Sequence, residues 1–164
     1  MVAPPAGTAL VRSQRAALVD RYRRGSAAVL EALAGATEVE LDAVPAGGGW
    51  SARQVVHHLA DAETMAATRL RRLLAEDSPV IQAYPEEVFA ARLRYDRPIA
   101  TSLAVIAAVR AASAELLELL DDADWQRAGT HTEDGAYSVA TWLATYVAHA
   151  EDHARQITAA RSGR

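Results

Sequence analysis

Four long stretches of the chain carry apolar residues three or four positions apart, which is the spacing of one face of an α-helix. Helices of about 20 residues are about 30 Å long, so their apolar faces can pack along one another. No alternation of strands and helices competes with this pattern. We therefore predict an all-α fold, a four-helix bundle with a long crossover between helices 2 and 3. The bounds expected for a single domain over residues 1–164 are about 9–34, 51–76, 98–121 and 138–161, with a short helix at about 85–95.

The second long helix has the clearest start in the sequence. Ser51 can cap it and Gln54 follows three residues later, which is the spacing of a capping box, while Trp50 and Val55 stand at the hydrophobic staple positions. Between the helices we predict loops. They are "VPAGGGW" after the first helix, and "DWQRAGTHTEDGAY" before the fourth, where Asp134-Gly135 favours a turn.

Composition narrows the classes of function. The net charge is −4, and a nucleic-acid-binding protein would more often be basic with clustered arginines, so no nucleic-acid partner is expected. No signal peptide and no run of about 20 apolar residues is recognised, which predicts a cytoplasmic protein without a membrane partner. The chain has no cysteine. Any metal ion must therefore be held by histidine and carboxylate side chains.

Two histidines four residues apart, His149 and His153, stand in the fourth helix. Successive helical residues are about 100° apart, so these two side chains lie within about 40° of each other and one turn apart. Trp142 and Tyr146 fall on the same side, which places both imidazoles on the buried face or its edge. Such a pair suits two neighbouring ligands of one divalent metal, but alone it is more often a pair of hydrogen-bonded core residues.

The second helix offers a third imidazole. His57 and His58 are adjacent and cannot point in the same direction. His58 lies on the flank of the apolar stripe, and His57 lies nearly opposite it, so we predict that His58 points inward and that His57 is a surface residue. If the second and fourth helices are antiparallel, His58 and His153 lie at similar depth. Three histidines would leave coordination positions open, as in catalytic rather than structural sites.

Several other polar and aromatic residues have both a functional and a structural interpretation. Asp61 and Asp152 could accept hydrogen bonds from the second nitrogen of a ligating histidine, although solvated surface charges are the more frequent case. His131 is expected in a solvent-exposed loop. Trp50 and Trp142 could line a pocket, and Tyr22 and Tyr146 could donate a hydrogen bond to a bound ligand or water, but all four are expected to pack in the core.

The stretches "WS", "VHHLADAE" and "HAEDHARQI" resemble the DinB-like (YfiT-like) superfamily of metal-binding four-helix proteins. "HTEDG" before the fourth helix and "RPIATSLAVIAAVR" at the start of the third are similar too, so the resemblance covers essentially the whole chain. It implies that His58, His149 and His153 are metal ligands. The implied cofactor is a divalent metal ion, with nickel, zinc and iron all suited to this ligand set.

Members of this superfamily include bacillithiol- or mycothiol-dependent S-transferases and a mycothiol-dependent maleylpyruvate isomerase. The resemblance therefore implies a metal-dependent thiol S-transferase, whose partners would be a low-molecular-weight thiol and an electrophile. A related metal-dependent hydrolase or isomerase is one alternative, and a non-catalytic metal- or ligand-binding bundle is another. Relatives commonly form dimers, so a homodimer is expected.

Overall fold

A computed structural model describes residues 11–162 as a helical bundle with a small sheet, and it confirms the predicted all-α four-helix architecture. Positions 9 and 10 of the predicted first helix lie outside the described residues. The four long helices are α1 (Arg12–Ala32), α3 (Ala52–Ala75), α5 (Ala100–Glu118) and α6 (Val139–Arg161). The shorter elements are α2 (Glu38–Asp42), β1 (Val80–Ile81), α4 (Glu86–Arg92), a 3-10 turn (Asp124–Gln126), β2 (Ala128–His131) and β3 (Gly135–Ser138).

The long helices pack in a closed ring of neighbours. α1 lies against α5 and α6, and α3 lies against the other sides of the same two helices. Trp142 and Tyr22 are fully buried in the core, and Tyr146 is nearly so, which confirms the core packing expected for these three residues. The buried indole N–H of Trp142 donates to the carbonyl of Ala66, so the ring is fixed between α6 and α3.

The start of α3 is the predicted capping box. The Ser51 hydroxyl accepts from the backbone N–H of Gln54 at 3.3 Å, and the Gln54 side chain accepts from the backbone N–H of Ser51 at 2.9 Å. A second capping box was not anticipated from the sequence. Thr37 and Glu40 make the same reciprocal bonds and begin α2, which buries Leu41 under the bundle. The predicted loop over residues 44–50 is confirmed, and the short helix that precedes it was not predicted, although the T-x-x-E spacing was visible.

A three-stranded sheet replaces loops that were predicted on both sides of the third helix. β1 pairs in parallel with β2, and β2 pairs antiparallel with β3 through a tight turn that ends at Gly135, whose φ is +78°. At Gly129 in β2 a Cβ would lie 2.2 Å from the carbonyl oxygen of Pro79, which directly precedes β1. Only glycine therefore allows β1 and β2 to approach so closely. The sheet ties the crossover after α3 to the segment that leads into α6.

A buried ion pair joins all four long helices. Arg110 of α5 pairs with Glu63 of α3, and both side chains are fully buried. The guanidinium also donates to the carbonyl of Tyr22 in α1 at 2.8 Å and to that of Tyr146 in α6 at 3.3 Å. Gly25 makes room for it, since a Cβ there would lie 2.5 Å from Nη2. By length and composition α5 is the one helix in residues 11–162 that could span a membrane, and 33% of that apolar window is buried here; a single such helix is weak evidence for a span.

Candidate metal centre

Three imidazoles meet between α3 and α6. The Nε2 atom of His149 lies 3.3 Å from Nε2 of His58 and 3.1 Å from Nε2 of His153. The potential ligand atoms of all three residues lie within 4.8 Å of one another. His58 reaches the cluster from α3, and the other two stand one turn apart on α6. The structure thus brings together the three histidines that the sequence singled out.

The spacing of these nitrogens fits a shared cation. Two cis ligands with bonds of about 2.0–2.1 Å have donor atoms about 3.0–3.4 Å apart. Hydrogen bonding among the imidazoles accounts for the arrangement less well. Nε2 of His149 carries either one hydrogen or one lone pair, so it cannot form two good hydrogen bonds to two neighbouring nitrogens. The donor set therefore fits a divalent metal ion, with coordination positions left for a small ligand.

The environment keeps these imidazoles neutral. Burial and, to a smaller extent, the neighbouring His153 lower the pKa of His58 to about 3. Burial also lowers the pKa of His149 to about 2, with His153, His58 and Arg110 acting in the same direction. The pKa of His153 is lowered by burial as well. At neutral pH each ring therefore has a free lone pair, the form in which histidine binds metal.

The second nitrogens of the cluster have different surroundings. The amide oxygen of Gln156 lies 2.6 Å from Nδ1 of His153 and can only accept, so Nδ1 carries the hydrogen and Nε2 presents its lone pair to the cluster. Nδ1 of His58 and Nδ1 of His149 are buried and have no hydrogen-bond partner within residues 11–162. Gln156 was not among the predicted partners, although its spacing three residues after His153 on one helix is a usable signal.

The two carboxylates considered as partners for these rings are engaged elsewhere. Asp61 accepts a hydrogen bond from the Tyr95 hydroxyl at 2.6 Å, and Asp152 forms an ion pair with Arg155 on the surface of α6. Neither makes a hydrogen bond to a cluster imidazole in the described structure. The hydrogen bonds considered between these carboxylates and the histidines are therefore not formed. The side chain that contacts His153 is Gln156.

The prediction that His57 is a surface residue is wrong. Its side chain is fully buried. Nε2 donates to the carbonyl of Arg97 at 2.8 Å, so Nδ1 accepts from the Ser102 hydroxyl, also at 2.8 Å. The face of α3 opposite its apolar stripe is covered by α5 and by the segment that leads into it. The imidazole is thus a hydrogen-bonded core residue that connects α3 to the crossover.

His131 is also misplaced by the prediction of an exposed loop. It ends strand β2, is only 6% exposed, and its ring centroid lies 5.3 Å from that of Tyr137. The short hairpin turns this side chain inward. Trp50 behaves differently from the other aromatic residues, because it is half-buried and its ring lies 4.7 Å from that of His58. It therefore packs against the core and forms part of the wall of the histidine cluster.

Comparisons with known proteins agree with the fold, and the names of the relatives refer to metal dependence. The chain matches the model of the DinB superfamily over residues 11–157. A protein of Oceanobacillus iheyensis, named as an inferred metal-dependent hydrolase, is 37% identical over 119 residues, which are 73% of this chain and 69% of that protein. A Bacillus mycoides protein with the same type of name is 31% identical over 122 residues, 74% of this chain and 70% of its own. The solved structure of YfiT from Bacillus subtilis, described as an inferred metal-dependent hydrolase with a four-helix bundle topology, matches with a TM-score of 0.88 at 27% identity, covering 94% of this chain and 89% of that one.

Proposed function

The chain belongs to the DinB superfamily, and on that basis we propose that it is a metal-dependent enzyme that holds one divalent ion with His58, His149 and His153. The observation that carries the proposal is the convergence of three neutral imidazole nitrogens on one point between two helices. Nickel, zinc and iron all suit an all-imidazole ligand set. Three protein ligands leave room for a substrate atom, which favours a catalytic rather than a structural role.

The reaction we propose is S-transfer from a low-molecular-weight thiol to an electrophile. A divalent ion at this site would lower the pKa of a coordinated thiol or water, so that a nucleophile forms at neutral pH. The residues of this chain position the reactants: the two helices fix the imidazoles, Gln156 orients His153, and Trp50 forms an apolar wall beside His58. The chain has no cysteine of its own, so the sulfur nucleophile must come from the cosubstrate.

A second candidate is hydrolysis, with water as the nucleophile. The names of the Oceanobacillus and Bacillus relatives favour this reaction. The same cluster geometry serves both, because both need a coordinated nucleophile and an open position. The cytoplasmic location and the homodimer remain predictions, which fractionation and light scattering can test.

The metal site is tested first by elemental analysis of protein purified without an affinity tag. We expect one divalent ion per chain, and a loss of at least tenfold in metal affinity for His58→Gln. His57→Gln is the matched control, since it removes an adjacent buried imidazole from the same helix. It should lower stability, because two buried hydrogen bonds are lost, but should keep one ion per chain. Equal metal loss in both variants, or no ion in the unaltered protein, would contradict the assignment.

The reaction is tested on metal-loaded protein. Bacillithiol and mycothiol are offered with 1-chloro-2,4-dinitrobenzene, and ester hydrolysis is followed in parallel without thiol. Thiol consumption that needs the ion and disappears in His58→Gln supports S-transfer. Ester cleavage with the same dependence supports the hydrolase instead. A loaded protein that is inactive in both assays would favour the non-catalytic metal-binding bundle.

A further inference from the structure

A cavity of about 190 Å³ lies beside the histidine cluster. His149 of the cluster lines one side. The rest of the wall comes from α3, from the crossover after it, from the hairpin before α6 and from α6 itself. Its polar members include Arg69, Tyr84 and His131, together with acidic residues at the rim. The small sheet brings Tyr84 and His131 together, because it pairs the crossover with the hairpin strand that carries His131. The volume is enough for a few non-hydrogen atoms of a small molecule.

The lining contains several buried polar atoms without a partner. Within residues 11–162, six buried side-chain nitrogen or oxygen atoms lack a hydrogen bond, and three of them belong to residues that line this cavity. They are the Tyr84 hydroxyl, Nε2 of His131 and Nδ1 of His149. Because an unmet buried polar group is costly, such a concentration indicates a place where a ligand supplies the missing partner.

His131 presents a hydrogen-bond donor. Its Nδ1 is within 3.4 Å of the backbone N–H groups of Glu133 and Asp134, which both donate to it, so the hydrogen of the neutral ring is on Nε2. The exposed Asp134 carboxylate also lies 3.1 Å from Nδ1 of His131. With the two backbone N–H groups donating to Nδ1, the buried Nε2–H of His131 has no acceptor within the described residues.

Arg69 adds a positive charge to the wall, and the Glu86 carboxylate of the same wall is near enough to interact with it without forming an ion pair. Its guanidinium donates to the Tyr146 hydroxyl at 3.0 Å and to the carbonyl of Gln82 at 2.7 Å, and it lies 5.6 Å from the ring centroid of Tyr84. Among the described residues it forms no ion pair. A guanidinium has five N–H donors, so several remain for a ligand.

We propose that this cavity binds the carboxylate of a small organic molecule, through the Arg69 guanidinium, the Tyr84 hydroxyl and the Nε2–H of His131. A carboxylate has two oxygens that accept several hydrogen bonds, which matches one cation and two unpartnered donors. The inference deepens the proposed function, since the ligand would be a substrate of the adjacent metal centre that carries a carboxylate. The exposed Glu86, Glu133 and Asp134 at the rim make a cationic ligand the competing interpretation.

The test uses acetate and methylammonium, two small probes of opposite charge, with metal-free protein so that acetate cannot bind an ion. Binding is followed by the NMR resonance of the His131 ring Cε1–H, assigned by its absence in His131→Asn. We expect acetate to shift this resonance saturably and methylammonium to leave it unchanged. Stronger binding of methylammonium, or no saturable shift with acetate, would overturn the proposal without bearing on the metal ligands.

Substitutions locate the site. Arg69→Met should weaken acetate binding about tenfold, the effect typical of losing a charged hydrogen-bond donor. Arg71→Met is the matched control, because this exposed arginine of α3 lies outside the cavity and, among the described residues, bonds only to the carbonyl of Ala67. It should leave the affinity within about twofold. Tyr84→Phe, which keeps the ring, should weaken binding several-fold even if Arg69→Met disturbs the fold. Equal effects of the two arginine variants, or none in Tyr84→Phe, would refute the contacts.

Discussion

Replacing Arg110 by methionine should destabilise the protein severely. The change leaves the Glu63 carboxylate fully buried without its cation, and it removes a charged donor from the carbonyls of Tyr22 and Tyr146. Removal of one partner from a buried pair costs about 3–5 kcal/mol. Against a usual unfolding free energy of about 5–15 kcal/mol, this is a large share. At about 2–4 °C per kcal/mol, the midpoint of thermal unfolding should fall by about 6–20 °C.

The loss should depend on pH in a defined direction. Burial already raises the pKa of Glu63, and Arg110 and Tyr22 oppose that rise. Without Arg110 the pKa rises further above its unfolded value. The variant is then relatively more stable while the carboxyl is protonated, and that stability is lost as the pH increases through the folded-state pKa. The difference in unfolding free energy between the unaltered protein and Arg110→Met should therefore be larger at pH 8 than at pH 5.5.

Urea and thermal unfolding followed by circular dichroism measure both effects. The double variant Arg110→Met with Glu63→Met is the decisive comparison, because it leaves no unpaired charge in the core. Replacing both members of a buried pair by apolar residues is often neutral or stabilising, so the double variant should be more stable than Arg110→Met alone. A loss below about 1 kcal/mol for the single variant, or a double variant no more stable than it, would refute the reasoning.

Three further predictions follow from the packing and the cluster. Gln156→Leu should lower metal affinity by about 10- to 100-fold in a chelator competition, whereas Asp152→Asn should not, and equal effects would contradict the contact with His153. Metal-free protein should become less stable as the pH falls below about 6.5, losing more than about 1 kcal/mol of unfolding free energy per pH unit. The reason is that the histidines of the unfolded chain gain protons that the buried cluster does not bind. A flat urea stability curve between pH 6.5 and 5 would contradict that neutral cluster. Gly25→Ala should destabilise the protein in thermal unfolding despite the better helix propensity of alanine, since the new Cβ meets Arg110, and an increase in stability would show that the guanidinium can move.

The sequence predicted what depends on local periodicity. The four long helices, the capping box at Ser51 and the inward direction of His58 follow from patterns within a single helix. The burial of His57 could not be predicted in this way. It depends on Ser102 and on the carbonyl of Arg97, which lie 45 and 40 residues away along the chain. A helical wheel shows which face is apolar, but it does not show that a crossover covers the opposite face.

The cavity wall was missed for a related reason. β1 has two residues, too few for a recognisable alternation, and it exists because β2 pairs with it across the sheet. The Asp134-Gly135 turn was recognised, but the short strands that it joins were not. His131 was therefore placed in a loop, and its side chain was assigned to the solvent. The Gln156 contact, by contrast, could have been predicted, because Gln156 follows His153 by three residues on one helix.

The two helices that supply the cluster are far apart in the chain. His58 and His149 are separated by 91 residues, so bringing them together in an unfolded chain costs about 4 kcal/mol or more in loop entropy. The complete three-histidine set therefore exists only in the folded protein, while the pair on α6 is local. An ion that binds the folded but not the unfolded chain adds about 2.7 kcal/mol of stability at a hundred times its dissociation constant. With such an ion, the fraction of folded protein would increase with the concentration of the metal. The cluster would then determine the resistance of the chain to unfolding as well as its chemistry.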